Sequence, residues 1–248
     1  MVAAFFGAES VGLYATGKRS KQALYFIAAG PINGVVLPTI AEVQNEPERL
    51  RRVLITATSV IFMLACPVFF GIGAVSRDAI VLLFGEKWAG AAPVLMWLSI
   101  SSVFAIAMNY NNNVFVVGNR QIWTLWVSGL STALSIVLFF FVSHLGSNAI
   151  TLPFVLPYLV TFPASMYLMM KMTGMDAKEW ARAAGPPFLA ALIMFGVVYA
   201  TPLPWGATSP LLSLVCKALI GTSIYAIGLW LVAREDIGKM ISMTKTWI

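Results

Sequence analysis

Five stretches of this chain, residues 22–41, 53–76, 88–119, 121–170 and 183–216, contain no Asp, Glu, Lys or Arg. A helix that crosses a bilayer needs about 20 mainly apolar residues, and every one of these stretches is long enough. Only 10% of the 248 residues are charged and 59% are hydrophobic, whereas a soluble domain carries roughly 25% charged residues. Too few charges remain to coat a water-facing surface. That excludes a soluble enzyme, a nucleic-acid-binding domain and a disordered chain. In hydrocarbon each backbone amide must find a partner inside the protein, so the runs should be helices. A barrel needs alternating strands, and Ile136–Val142 does not alternate. The expected fold is an all-α polytopic membrane protein, with residues 1–248 forming one transmembrane domain.

Full spans are expected near Gln22–Ile40, Val53–Val75, Ala91–Val116, Ile122–Val142, Ile150–Met170, Pro186–Ala200 and Leu211–Val232. Val2–Ala15 is apolar but short, so it reads as the truncated end of an eighth span, with Lys18, Arg19, Ser20 and Lys21 between two apolar segments. His144–Asn148 divides the longest run as a turn-like polar cluster. Asp176 and Glu179 have the spacing of a capping box. With Trp180 and Arg182 they suggest a short interfacial helix ahead of a span that begins at Pro186-Pro187. Pro31, Pro38, Pro67, Pro153, Pro157 and Pro163 lie within spans, where kinks are tolerated.

Charge sorts the connections into two sides. Ten of the 16 Lys and Arg residues fall on the side that includes Arg51, Arg120, Lys178 and the C-terminus, five on the other, and Lys217 within a span. Basic residues accumulate in cytoplasmic loops, so the first side is expected to be cytoplasmic. The same rule accounts for the net charge of +6 without a nucleic-acid partner. Cys66 and Cys216 both lie in apolar runs, which suits free thiols.

No catalytic constellation is present, and the expectation is a protein that is not an enzyme. The one histidine, His144, excludes a multi-histidine metal site, no phosphate-cradling glycine loop occurs, and no cofactor is implied. The candidate site residues are polar groups at or inside the spans. Lys18, Arg19 and Lys21 offer either a phosphate-binding face or a solvated loop whose stems snorkel to headgroups. Gln22 and Tyr25 continue the Lys18 and Lys21 face by helical spacing. Asn109, Asn112 and Asn113, with Tyr110 and Asn111, suit sugar hydroxyls or interhelical hydrogen bonds equally. Lys217 lies about seven residues into the last span with no acid on the same helix until Glu235. It is either a functional cation or a snorkelling one.

The connections carry a further signal. Val11-Gly-Leu-Tyr14, Leu37-Pro-Thr-Ile-Ala-Glu-Val-Gln-Asn45 and Glu48-Arg-Leu-Arg51 are followed by Cys66-Pro-Val-Phe-Phe-Gly71, Leu83-Phe-Gly-Glu-Lys-Trp88 and Gly118-Asn-Arg120. In that order the chain resembles polysaccharide exporters of the oligosaccharide-flippase type, within the multidrug/oligosaccharidyl-lipid/polysaccharide transporter superfamily. The resemblance implies a V-shaped bundle of two lobes that opens alternately to each membrane face. This chain resembles the second lobe plus two extra C-terminal helices. It is therefore expected to be part of a longer transporter, or to pair with a separate N-terminal lobe. The implied function is translocation of a lipid-diphosphate-linked sugar across a bacterial inner membrane for polysaccharide synthesis. The alternatives are a cation-coupled multidrug antiporter half, for which Glu9 is the acid nearest a span core, and an inactive half that scaffolds a synthesis complex.

Overall fold

Six helices long and apolar enough to cross a membrane make up most of the computed structural model, which describes residues 11–23, 25–26, 38–142, 149–201 and 209–232. The helices are α1 (residues 11–23, continuing at 25–26), α2 (Pro47–Ala74), α3 (Ser76–Phe84), α4 (Ala92–Val117), α5 (Gln121–Val142), α6 (Leu152–Val155), α7 (Pro157–Thr173), α8 (Ala177–Ala200) and α9 (Pro210–Val232), and residues 38–42 are helical as well. A 3-10 turn, Glu86–Ala91, joins α3 to α4, and no strand occurs among the described residues. The expected spans from Val53 onward each have a counterpart. The expected span Gln22–Ile40 and the cluster at His144 lie mostly or wholly outside the described residues, as do Glu9 and Pro31.

Helix α2 is central, packed along α8 and α4. Leu54, Cys66 and Phe69 of α2, Phe115 of α4, Met169 of α7 and Ala191 of α8 are fully buried. Rings lock the layers together: Phe62 meets Trp180 edge-on with centroids 5.6 Å apart, and Phe70 meets Phe188 at 5.5 Å. Such edge-to-face pairs add about 0.5–1.5 kcal/mol each beyond the area they bury. Helices α5 and α9 are peripheral and turn large apolar side chains outward, including Trp126, Phe141 and Leu219. That is the face a bilayer covers.

Three expectations about local structure are corrected. Residues 16–21 are not a loop: α1 runs without a break from 11 to 23. Ser20 Oγ donates back to the Thr16 carbonyl at 3.0 Å, and Gly17 lets the helix lie against α4. Nor is there a separate interfacial helix before Pro186. Helix α8 begins at Ala177 and continues through Pro186 and Pro187. The backbone donors that a proline pair lacks are only two of the many in a helix of this length. Pro153 and Pro157 stand in the first turns of α6 and α7, where a missing N–H costs nothing, so they start helices rather than kink them.

Pro67 does lie inside α2, and its missing N–H deprives the Met63 carbonyl, four residues earlier, of its helical donor. The Tyr225 hydroxyl of α9 donates to that oxygen at 2.9 Å. Two ion pairs tie other helix ends together. Arg51 of α2 grips Glu179 of α8 through Nε at 2.9 Å and a terminal guanidine nitrogen at 2.8 Å. Lys217 of α9 meets Asp78 of α3 at 2.8 Å. The first pair puts the start of α2 and the start of α8 on one side of the bundle, as the charge sorting groups them.

Glu179 has a second task, because its carboxylate also accepts from the Asp176 N–H at 3.2 Å as half of a capping box. Both partners of the ion pair are about one-third exposed, so the pair itself adds only about 0.5–1 kcal/mol, while a lost cap costs about 1 kcal/mol more. Glu179→Ala is therefore expected to lower the thermal midpoint in detergent more than Arg51→Ala does. Equal shifts would assign the whole effect to the ion pair.

Candidate functional site

The site is built on the register of α1 against α4. A Cβ at Gly12 would stand 3.6 Å from the Trp88 ring, and one at Gly17 would stand 2.8 Å from Val94 Cγ1, so the backbones run close here. Further along, Asn109 Nδ2 of α4 donates to the Tyr25 hydroxyl of α1. The two helices thus run side by side in the same direction. Lys18 and Lys21 fall between the Gly17–Val94 and Tyr25–Asn109 contacts. They lie alongside the apolar length of α4, within the bundle's depth and not in a connection at its rim.

Aromatic rings hold both lysines. Lys18 Nζ lies 5.8 Å from the Tyr14 ring centroid and Lys21 Nζ lies 5.1 Å from that of Tyr25. Residues 14, 18, 21 and 25 recur at three- and four-residue spacing, so they form one stripe on the helix. The stripe is fastened at both ends. Tyr14 stacks on Phe154 of α6 at 4.8 Å, and Tyr25 is tilted against Phe69 of α2 at 6.2 Å. Lys18 and Gln22 are exposed and Lys21 is half-buried. None of Lys18, Arg19 and Lys21 forms an ion pair among the described residues. Arg19 is exposed as well, but at about 100° per residue it stands on a different face of α1, off the stripe.

The asparagines separate. Asn109 is exposed and belongs to the stripe through Tyr25. Asn111 is fully buried and donates to Ser165 Oγ at 3.0 Å, joining α4 to α7. Its Oδ1 and that of Asn112 have no donor among the described residues. Asn113 is half-buried. Tyr110 is spent on packing, with its hydroxyl donating to the Leu54 carbonyl at 3.0 Å. The structure therefore joins Lys18, Lys21, Gln22, Tyr25 and Asn109 in one neighbourhood and leaves Asn112, Asn113 and Lys217 outside it.

Lys217 has a partner that sequence spacing does not show. Asp78 stands in the first turn of α3, and its Oδ2 accepts from Lys217 Nζ at 2.8 Å and from Ser213 Oγ at 3.1 Å. Tyr14 and Phe154 are likewise missing from the sequence-level set. The period of the stripe could have supplied Tyr14, four residues before Lys18, but nothing local points to Phe154. Among the described residues no group of three or more His, Cys, Asp or Glu is placed to hold a metal ion.

Comparison with known proteins gives this arrangement a setting. Residues 1–93 match a family described as "Polysaccharide biosynthesis protein". The chain is similar to the succinoglycan biosynthesis transport protein ExoT of Rhizobium meliloti, with 24% identity over 250 residues, 99% of this chain and 50% of the relative. It is also similar to the teichuronic acid biosynthesis protein TuaB of Bacillus subtilis, with 24% identity over 206 residues, 81% of this chain and 43% of the relative. The chain thus spans about half the length of the curated relatives it matches. The lipid II flippase MurJ in its inward closed conformation has the same fold over 95% of this chain and 50% of its own, with a TM-score of 0.77 at 17% identity. The chain thus has the fold of the lipid II flippase MurJ and is similar along nearly its whole length to a polysaccharide biosynthesis transport protein.

Proposed function

We propose that this chain is one half of a flippase that carries a lipid-linked oligosaccharide across the bacterial plasma membrane for polysaccharide assembly. The carrying observation is the depth of the α1 stripe. Lys18 and Lys21 lie alongside the apolar stretch of α4, and neither is neutralised by an ion pair among the described residues. A charge facing hydrocarbon at that depth costs several kcal/mol, and such residues normally face a bundle interior or a wet cavity. The stripe then lines an internal polar surface. A second lobe, contributed by the same gene or by a companion chain, supplies the opposite wall.

The chemistry suits a diphosphate-linked sugar. Lysines bind phosphate oxygens as point charges, and Arg19, exposed on a neighbouring face of α1, offers a planar fork to a headgroup beside the stripe. Gln22, Tyr25 and Asn109 offer hydroxyl and carboxamide groups to a sugar. Asn113, half-buried one turn further along α4, is the next carboxamide on the face of Asn109. No bond is made or broken, and transport requires only that each face of the cycle bind the headgroup without holding it. The more basic side, with the C-terminus, faces the cytoplasm where the substrate is loaded.

The test is deletion of the gene at its native locus. Surface polymer is expected to disappear while lipid-linked oligosaccharide accumulates several-fold on the cytoplasmic leaflet. Re-expression of the intact gene restores both. Normal polymer with raised drug sensitivity would assign the chain to antiport. Loss of polymer without accumulation of the lipid-linked precursor would make it a scaffold for synthesis.

A further inference from the structure

The ion pair between α3 and α9 has features that a substrate-binding cation lacks. Lys217 Nζ and Ser213 Oγ are one helical turn apart on α9, and both converge on a single oxygen, Asp78 Oδ2. The side chains of Lys217 and Asp78 retain only 16% and 14% of their exposure. Lys217 is therefore neutralised and mostly covered, unlike the lysines of α1.

The rest of α9 is attached differently. Further along the helix, a Cβ at Gly221 would stand 3.3 Å from Val198 Cγ2, and one at Gly228 would stand 3.3 Å from the Ala190 Cβ, both on α8. Small residues seven apart make a close-packed seam, the usual way helices adhere in lipid. Tyr225, between them, fills the carbonyl that Pro67 leaves open in α2. Those contacts hold the second half of α9 with no charge involved. The first half turns Leu211, Leu212, Val215 and Leu219 outward, and its polar fastening is the pair of bonds to Asp78.

We infer that Asp78, Lys217 and Ser213 form a largely buried latch that holds the first turns of α9 against α3, and that Lys217 is a positioning residue rather than a headgroup-binding one. Van der Waals packing weakens gradually as two helices part, whereas an ion pair in a low-dielectric setting is either made or costly to leave open. One end of α9 is thus fixed by shape and the other by charge. Export enters this inference only through the flippase reading above. The latch itself is read independently, from backbone hydrogen exchange in residues 211–220 of the protein purified from its native host.

Asp78→Asn and Lys217→Met are each expected to raise exchange in residues 211–220 about ten-fold or more, while residues 221–231 keep their protection. The exchanged pair, D78K/K217D, is expected to restore both protection and export, because a latch needs opposite charges in either order. Lys217→Arg, which keeps the charge at little risk to folding, should retain both as well. Single variants with unchanged exchange would overturn the latch. Restored protection without restored export in D78K/K217D, or loss of export in a fully protected Lys217→Arg protein, would return Lys217 to the substrate. A strain in which the native protein exports nothing would sink the flippase reading and still leave the exchange result to judge the latch.

Discussion

Neutralising the α1 cations together, in K18Q/R19Q/K21Q, is expected to reduce polymer export at least about ten-fold per molecule in the membrane. A ten-fold loss corresponds to about 1.4 kcal/mol, less than the approximately 1.5–3 kcal/mol that one hydrogen bond to a charged group contributes. The prediction is therefore conservative if even one lysine touches a phosphate. Folding should be spared, because glutamine keeps much of each stem over the Tyr14 and Tyr25 rings and no ion pair among the described residues is broken. Arg19→Gln alone should have the smallest effect of the three, since that residue stands on a different face of the helix from the stripe. The measurement is surface polymer normalised to protein in the membrane fraction. Undiminished export in the triple variant would remove the stripe from the translocation path.

Gly17→Leu is the second change with a large expected effect, and it acts through backbone approach instead of charge. Even a methyl group here would stand 2.8 Å from Val94 Cγ1, 3.0 Å from Val94 Cβ and 3.2 Å from the Leu95 amide nitrogen. The valine can turn, but the amide belongs to the backbone of α4 and cannot. A leucine must push α1 away, and overpacking of this kind costs about 1–3 kcal/mol. The displaced helix would also part Tyr25 from Asn109, so export should fall several-fold alongside a thermal midpoint lowered by several degrees. Gly196 of α8 is the control. Nothing lies within 4 Å of a Cβ placed there, so Gly196→Ala should leave both readings unchanged. A Gly17→Leu protein that kept its midpoint and its export would show that α1 and α4 need not meet at this register.

Much of the fold is legible in the spacing of charges, because hydrocarbon admits few of them and each long gap has to be a helix. Expected spans and helices agree from Val53 to Val232, and the misreadings share a cause. Lys18, Arg19 and Lys21 look like a loop because charge usually marks water. Here the helix continues through them, stitched by Ser20 and pressed on α4 through Gly17. Pro186 looks like a helix start for the same kind of local reason, yet α8 is already capped ten residues earlier at Asp176. The stripe of Lys18, Lys21, Gln22 and Tyr25 could be read from its period alone. Its junction with Asn109 is 84 residues distant in sequence, and the Asp78–Lys217 pair spans 139. Such contacts are set by which helices neighbour each other, and no local period carries that information.

The hydroxyl of Tyr225 bonded to the Met63 carbonyl bears on how this sequence can change over time. Pro67 makes that oxygen needy, and Tyr225 answers from another helix. If an ordinary residue replaced Pro67, its own N–H would reclaim the carbonyl and phenylalanine would serve at 225 just as well. While proline remains, phenylalanine leaves a bare acceptor in the bundle interior. Positions 67 and 225 are therefore inherited as one decision, with the order of mutation constrained: the proline must go before the hydroxyl can.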